Sequence, residues 1–233
     1  MGLLVSEAHG EMILDYRSTN RDPPETYNDV RTADLNKLRI CVFVRKRPLS
    51  DPGDVDVVTV SGKKTVVLHE PKIRVDLTPD MMHHRIEFDR AFDEHVDNER
   101  VYRVAALPLL EHVFASQGTA TCFAYGQTGS GKTHTMSGPP NTESAPEGLY
   151  AYAARDIIDL MQDPRYADLG LTLGVSFYEI YGGKAICHTR CRLLHLAWWP
   201  VRTVSYACKH LAWSAMRAIL AAAIARAHRS TIC

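Results

Sequence analysis

The sequence predicts an α/β fold organised around a phosphate-binding loop, and three observations support this. Residues 126–133 read GQTGSGKT and match the pattern G-x-x-x-x-G-K-[ST]. The apolar segment 120–125 comes directly before them and suits a buried strand, and a segment able to begin a helix follows. Elsewhere, strand and helix patterns alternate along the chain, as in α/β proteins. The composition, 45% hydrophobic and 23% charged, is typical of a globular protein.

The residue types of the loop explain how it would hold a phosphate chain. Glycines allow successive backbone N–H groups to turn inward, and the following helix adds positive potential at the same point. Lys132 would reach the outer phosphates, and the Thr133 hydroxyl would bind Mg²⁺. A glycine-rich turn that matches by accident is the alternative, and the order strand, loop, helix argues against it. The predicted phosphate-binding residues are Gly126, Gln127, Thr128, Gly129, Ser130, Gly131, Lys132 and Thr133.

The chain before the loop is predicted to contain a polar leader and several strands. In the leader, residues 1–38, only a short helix around 12–17 is expected, because Pro23 and Pro24 interrupt any longer one. Residues 40–44 are β-branched and aromatic, which predicts a strand buried on both faces. Two strand patterns, 55–60 and 65–68, predict a hairpin that 72–76 extends, and 85–89 alternates as a half-buried strand does.

Two helices and a further strand are predicted around and after the loop. Asp97 can cap a helix that Pro108 kinks and Gly118 ends. A second helical pattern covers 149–161, with Pro164 as its stop. Residues 171–177 then alternate as a strand does, and the glycine pair 182–183 turns the chain.

Residues 124–136, AYGQTGSGKTHTM, resemble the phosphate loop of kinesin motor domains much more specifically than a bare Walker pattern does. The segments RKRP at 45–48 and FYEIY at 177–181 are similar to kinesin segments as well. This resemblance implies a P-loop NTPase with a mixed central sheet and helices on both faces, incomplete here, that binds ATP and Mg²⁺. It also implies that Arg45, Arg47 and Pro48 lie beside the adenine, with His134 close by. Taken alone, the charge run 45–48 favours a solvated strand end over a site for an aromatic base or phosphate.

The segments 39–49, 69–78 and 88–94 resemble the internal-motor kinesins that depolymerise microtubules, the thirteenth kinesin family. The resemblance covers about residues 11–184 and includes part of the neck before the motor. It implies tubulin and microtubules as partners, with no nucleic acid and no membrane span, and a place in the cytoplasm on the microtubule cytoskeleton. Those kinesins press a Lys-Val-Asp tip against curved tubulin, and the matching residues here are Arg74, Val75 and Asp76. Arg keeps the charge of Lys but differs in donor geometry.

The composition changes where the resemblance stops. Residues 185–233 hold seven of the 27 basic residues, none of the 27 acidic ones, and all three Trp. The kinesin switch patterns Asn-x-x-Ser-Ser-Arg-Ser-His and Asp-Leu-Ala-Gly-x-Glu are not found in the sequence. Phosphoryl transfer needs such groups to position the attacking water, so no catalytic residue is assigned. The expected organisation is a leader with part of a neck (1–38), an N-terminal part of a motor domain (39–184) and an unrelated basic tail (185–233), which we attribute to a frameshift or a mis-spliced gene.

Several smaller features have competing interpretations. Cys187, His188, Cys191 and His195 could share a helical surface and bind Zn²⁺, although their spacing matches no familiar zinc module and favours a chance cluster. The alanine-rich stretch 211–229 favours a helix. Gly2 lies in an N-myristoylation pattern, which is short and often accidental. Cys41 and Cys122 are expected to be buried free thiols.

Three functions follow from these observations. The chain is predicted to be an ATP-binding, kinesin-like ATPase that depolymerises microtubules and is truncated before the switch regions. The alternatives are a fragment that binds nucleotide or tubulin without hydrolysis, and a product that does not fold stably. The missing switch patterns favour the two alternatives for this polypeptide taken alone.

Overall fold

The computed structural model describes residues 7–20, 39–51, 53–139, 147–181, 184–193 and 203–208. The chain divides into two compact units, Met1–Val96 and Asp97–Cys233. The described residues combine helices with both parallel and antiparallel strand pairs, which confirms the predicted mixed α/β class. These strands form three separate sheets, so the single central sheet that the resemblance implied is not continuous in the described ranges.

The first unit contains one described helix and five strands. β2, β3 and β4 form an antiparallel sheet, and β1 and β5 form a parallel pair. The predicted hairpin is confirmed: Ser61 pairs with Thr65, and Gly62 provides the positive φ of 62° that the turn needs. The elements are α1 (Glu7–Thr19), β1 (Phe43–Arg45), β2 (Val58–Ser61), β3 (Thr65–Ile73), β4 (Pro79–Glu87) and β5 (Arg90–Phe92).

Three predictions in this unit need correction. The leader helix is twice as long as expected, because His9 and Ile13 are buried and support its first two turns. The strand predicted at 40–44 forms only as β1, and Ile40 is 80% exposed, since β5 is the one strand that pairs with β1 in the described residues. The half-buried strand predicted at 85–89 ends at Glu87 and begins at Pro79, because β3 pairs with it over nine residues.

The second unit contains five described helices and three strands. The predicted cap is confirmed, because an Asp97 carboxylate oxygen accepts a hydrogen bond of 2.7 Å from the Arg100 N–H. Pro108 lies in the first turn of a new helix, so the predicted kink is a full interruption at Ala106. The elements are α2 (Asn98–Ala105), α3 (Leu107–Ser116), α4 (Lys132–Ser137), α5 (Leu149–Met161), α6 (Pro164–Ala167), β6 (Thr172–Tyr181), β7 (Lys184–Leu193) and β8 (Thr203–Cys208).

Two helix ends differ from prediction. α3 ends at Ser116, two residues before Gly118, because Gln117 itself takes the left-handed cap conformation, with φ of 54°. Pro164 does not simply stop α5, which ends at Met161; it opens α6, whose first N–H groups are capped by Asp163. Proline suits a first helical turn because its missing N–H would be unpaired there anyway.

The strand predicted at 171–177 is confirmed and is longer than expected. β6 pairs antiparallel with β7 and parallel with β8, and β8 was not predicted. β7 places Cys187, His188 and Cys191 on a strand, so the shared helical surface proposed for them is wrong; His195 lies outside the described residues. The turn at 182–183, the helix predicted at 211–229 and the Gly2 pattern also lie outside them.

None of the described helices is long and apolar enough to span a bilayer. Within the same residues, no group of three or more His, Cys, Asp or Glu side chains could hold a metal ion. Cys41 and Cys122 are free thiols as predicted, but both are only partly buried. Burial raises the pKa of both thiols above its ordinary value, and at Cys41 the negative charge of Asp89 adds to the effect.

Candidate functional site

The glycine-rich loop has a backbone conformation that only glycine adopts readily. Gly126, Gly129 and Gly131 have φ of 154°, 84° and 98°. The loop is tightened by a 3.1 Å hydrogen bond from the Ser130 N–H to the Gln127 carbonyl. A Cβ at Gly126 would lie 2.5 Å from the Ser130 hydroxyl oxygen, so no larger residue fits there without a shift. The sequence therefore forms a closed turn of backbone amides in front of α4.

Lys132 is the first residue of α4, and its side chain folds back over the loop. Its ammonium group donates hydrogen bonds of 2.8 Å to the Gly126 carbonyl and 2.6 Å to the Gln127 carbonyl. The loop residues 126–130 are exposed to solvent. A positive charge thus lies over an accessible loop, which is the arrangement needed to attract an anion.

Thr133 and His134 are exposed in the first turn of α4. The helix is short, because it ends just before Gly138, whose N–H donates a 3.1 Å hydrogen bond to the His134 carbonyl. The Thr133 side chain is therefore available beside Lys132, while the His134 backbone serves to hold the helix in place.

Asn98 is a positioning residue that the sequence did not reveal. Its side chain is 1% exposed, and its amide nitrogen donates 2.9 Å hydrogen bonds to the carbonyls of His134 and Glu147. It thereby ties α4 to the residues that begin α5. The only signal in the sequence was an Asn in the first turn of an amphipathic helix, which does not indicate partners 36 and 49 residues away.

Gly148 allows the end of α4 and the start of α5 to approach closely. A Cβ at this position would lie 2.3 Å from the Ser137 carbonyl carbon, 2.4 Å from the Gly138 nitrogen and 2.5 Å from the Met136 oxygen. All three are backbone atoms, which no side-chain rotation can move away. An ion pair between Arg155 and Glu147 lies at the same junction.

The segment 120–125 before the loop is not the buried strand that was predicted. Phe123 is 79% exposed and Tyr125 is 95% exposed. The sequence pattern is that of a strand, but no described strand pairs with it, and only Cys122 and Ala124 of this segment are partly buried. The glycine loop keeps its own conformation without this support.

The residues assigned to the adenine by resemblance lie in the first unit, whereas the loop and His134 lie in the second. The Arg45 guanidinium donates a 2.7 Å hydrogen bond to the Val96 carbonyl, and Arg47 donates one of 3.0 Å to the Ser50 hydroxyl. Pro48 is exposed.

Lys46, between the two arginines, is a structural cation. It is 10% exposed and bonds to carboxylates of Asp56 at 2.6 Å and Glu94 at 2.9 Å. Burial acts to raise the pKa of Asp56, but hydrogen bonds from Lys46 and the Val58 N–H outweigh it and hold that pKa below its ordinary value. Lys46 thus links the end of β1 to the residues just before β2 and just after β5.

The predicted tubulin-contacting residues form the exposed turn between β3 and β4. Val75 is fully exposed. Arg74 donates two hydrogen bonds to Asp80, of 3.1 and 3.2 Å, and Asp76 accepts two from Thr78. The bonds from Thr78 lower the pKa of the Asp76 carboxyl. The turn is therefore closed by its own side chains and presents an apolar tip between a cation and an anion.

A family model for the kinesin motor domain matches residues 45–186. The match covers more than half of the chain and includes the glycine loop, the β3–β4 turn and β6.

Proposed function

The chain belongs to the kinesin motor domain family, and we propose that it carries the nucleotide-binding part of a motor that depolymerises microtubules. Members of this family are P-loop ATPases that bind ATP with Mg²⁺ and act on microtubules in the cytoplasm. The observation that carries the proposal for this chain is the closed glycine loop with the Lys132 ammonium lying over it.

The residues present fit a nucleotide's phosphate chain. Three glycines with positive φ give a loop in which any Cβ at Gly126 would be too close to Ser130, so backbone amides can approach an anion directly. Lys132 would transfer its hydrogen bonds from the loop carbonyls to the outer phosphates, and the Thr133 hydroxyl would bind Mg²⁺. Bound Mg²⁺ would neutralise part of the phosphate charge. The assignment of Arg45, Arg47, Pro48 and His134 to the base rests on the resemblance.

The depolymerising type is proposed from the β3–β4 turn. Its tip, Arg74, Val75 and Asp76, is exposed and closed by local hydrogen bonds, so its shape is fixed before any partner arrives. Preorganised tips lose less conformational freedom on binding. We assign this turn to contact with tubulin.

We infer that residues 185–233 replace the part of the motor that would sense the γ-phosphate. The switch patterns are not found in the sequence, and the tail contains no acidic residue. The polypeptide is therefore proposed to hold nucleotide without steady hydrolysis, with the organisation leader 1–38, motor part 39–184 and tail 185–233. Re-reading the nucleotide sequence beyond codon 184 tests the frameshift: if no other reading frame restores a motor continuation, that explanation is wrong.

Nucleotide binding is tested by titrating the full chain with a fluorescent ATP analogue and Mg²⁺. Lys132→Ala is expected to weaken binding about 10- to 100-fold, because it removes charge-assisted hydrogen bonds to phosphate. Lys64→Ala, at an exposed lysine of the β2–β3 turn, is the matched control and should bind as the wild type does. Equal affinity of the Lys132 variant and the control would contradict the assignment of the loop.

Turnover and tubulin action are separated by two further assays on the same proteins. Retained nucleotide with no phosphate release above background supports binding without hydrolysis. Loss of microtubule turbidity that requires ATP and disappears in Lys132→Ala would instead establish a working depolymerase. A cooperative thermal transition of the full chain argues against a product that does not fold.

A further inference from the structure

A histidine pair, His69 on β3 and His83 on β4, lies beneath the leader helix α1. The two residues are directly opposite each other in the β3–β4 register, and their Nδ1 atoms are 2.7 Å apart. His69 is 1% exposed, whereas His83 lies at the edge of the contact and is more open. No step proposed for the phosphate loop or the β3–β4 turn uses either ring.

The helix α1 contacts both members of the histidine pair. The Tyr16 ring stacks on His83, with centroids 4.1 Å apart, and meets His69 edge-on at 5.1 Å. Arg17 donates a 2.7 Å hydrogen bond to the Thr59 hydroxyl, which lies 2.8 Å from His69 Nε2. Arg17 also bonds to the carbonyls of Asp56 and Val58. These contacts attach the last turn of α1 to β2, β3 and β4.

One arrangement of protons satisfies every hydrogen bond of the pair with both rings neutral. The Thr59 oxygen accepts from Arg17 and can donate its single proton to His69 Nε2, so that His69 Nδ1 carries the proton donated to His83 Nδ1. With this tautomer both rings are neutral and every bond has one proton. The Nδ1–Nδ1 contact holds one proton only, so two protonated rings would place N–H against N–H.

The charged groups that face the histidine pair already form ion pairs with one another. Asp56 accepts bonds from Arg17 at 2.9 Å and Lys46 at 2.6 Å, and Lys46 also bonds to Glu94. Two cations and two carboxylates balance each other. The other titratable groups on this face include Tyr16 and His9 of α1, the latter bonded to the Lys72 carbonyl, and Arg85 and Glu87 beyond His83 on β4. A protonated imidazole would therefore add an unmatched positive charge next to Arg17.

We propose that protonation of the histidine pair releases α1 from the β2–β3–β4 sheet, which makes the contact of this helix with the rest of the first unit sensitive to acid. Burial, then the positive charges of His83 and Arg17, lower the pKa of His69 to about 4, against a smaller opposing effect of Asp56. Burial also lowers the pKa of His83. The docked state thus resists protonation, and the released state, with ordinary histidines, does not.

The direction of the effect follows from these values. Above pH 6.5 both states are neutral, and docking is unaffected. As the pH falls from about 6.5 towards about 4, the released state takes up a proton that the docked state excludes, so docking weakens. For His69 alone, the shift makes docking about 30-fold weaker at pH 5.0 than at pH 7.5.

Hydrogen exchange of residues 7–20 in the full chain, measured by mass spectrometry and corrected for intrinsic rates, tests the proposal. At pH 5.0 the protection of this peptide should fall about 30-fold relative to pH 7.5, while that of α5 should not change. His69→Gln should abolish most of this pH dependence. His84→Gln is the matched control, because His84 bonds to Glu70 on the other face of β4. In this variant, the protection of residues 7–20 should change with pH as it does in the wild type.

Two outcomes would overturn the proposal: protection of residues 7–20 that is equal at both pH values, or an equal effect of the His69 and His84 variants. If His69→Gln does not fold, His83→Gln at the exposed edge replaces it and should reduce the pH dependence. Titration of the wild-type imidazole signals by nuclear magnetic resonance is an independent measurement. A His69 signal that titrates near pH 6.5 with α1 docked would equally refute the mechanism.

Discussion

The sheet β2–β3–β4 and the segment leading into the phosphate loop show how differently two strand-like sequences can depend on their surroundings. β3 and β4 follow each other in the chain and pair over nine residues. Residues 120–125 are more apolar than either strand, yet Phe123 and Tyr125 face solvent, because no described strand lies beside them. A strand that pairs with the next strand in the sequence finds its hydrogen-bonding partner nearby, whereas a central strand needs partners from distant parts of the chain.

The phosphate loop lies between these two cases. Its turn is set by its own glycines and by Lys132, but its position depends on Asn98 and on the close approach at Gly148. The comparison therefore predicts that distant substitutions disturb the loop strongly, and that substitutions in the sheet act through local packing.

The largest effect is expected from Gly148→Ala. The added methyl group would lie within 2.5 Å of three backbone atoms, so α4 and α5 would have to separate, at a cost of about 3 kcal/mol in the free energy of unfolding of the second unit. Urea denaturation followed by circular dichroism measures this. Gly170→Ala, which has φ of 57° but nothing within 4 Å of the new Cβ, isolates the backbone strain and should cost about 1 kcal/mol. Similar losses of stability in both variants would show that the close approach of α4 and α5 at Gly148 does not determine the cost.

Asn98→Ala should have the next largest effect. It leaves the buried carbonyls of His134 and Glu147 without their amide donor, which costs about 2 kcal/mol. Because those bonds position α4, nucleotide affinity should fall in the same variant, although Asn98 is not placed in the loop. Fluorescent nucleotide titration beside urea denaturation measures both. Reduced stability with unchanged affinity would mean that the loop is independent of this anchor.

The features that the sequence predicted depend on nearby residues, and those that it missed depend on distant ones. The glycine loop, the Asp97 cap and the β2–β3 hairpin were predicted because each depends on residues close together in sequence. The exposure of Ile40 and Phe123 was not, because burial is decided by partners that a local pattern cannot reveal. Asn98 was missed for a related reason: its role is defined by two carbonyls far along the chain.

Val67→Ala tests the contribution of local packing in the β2–β3–β4 sheet. Val67 on β3 is fully buried, and the loss of its two methyl groups should cost about 1.5 kcal/mol of the free energy of unfolding of the first unit. Val75→Ala, the same substitution at the exposed tip of the β3–β4 turn, should change stability by less than about 0.5 kcal/mol. Hydrogen exchange of β3 peptides reports the difference. Equal effects at the two valines would contradict the burial pattern of this sheet.

The smallest expected effect is a gain in stability at Gly10→Ala. Gly10 lies inside α1, where glycine costs helix stability because the unfolded chain loses more freedom. The new Cβ would meet only the Val55 methyl groups, at 3.9 Å, which is an ordinary contact distance. Protection of residues 7–20 against hydrogen exchange at pH 7.5 should therefore correspond to about 0.7 kcal/mol more stability than in the wild type. A loss of protection would mean that α1 has no room for a methyl group and packs more tightly against the segment before β2 than this contact indicates.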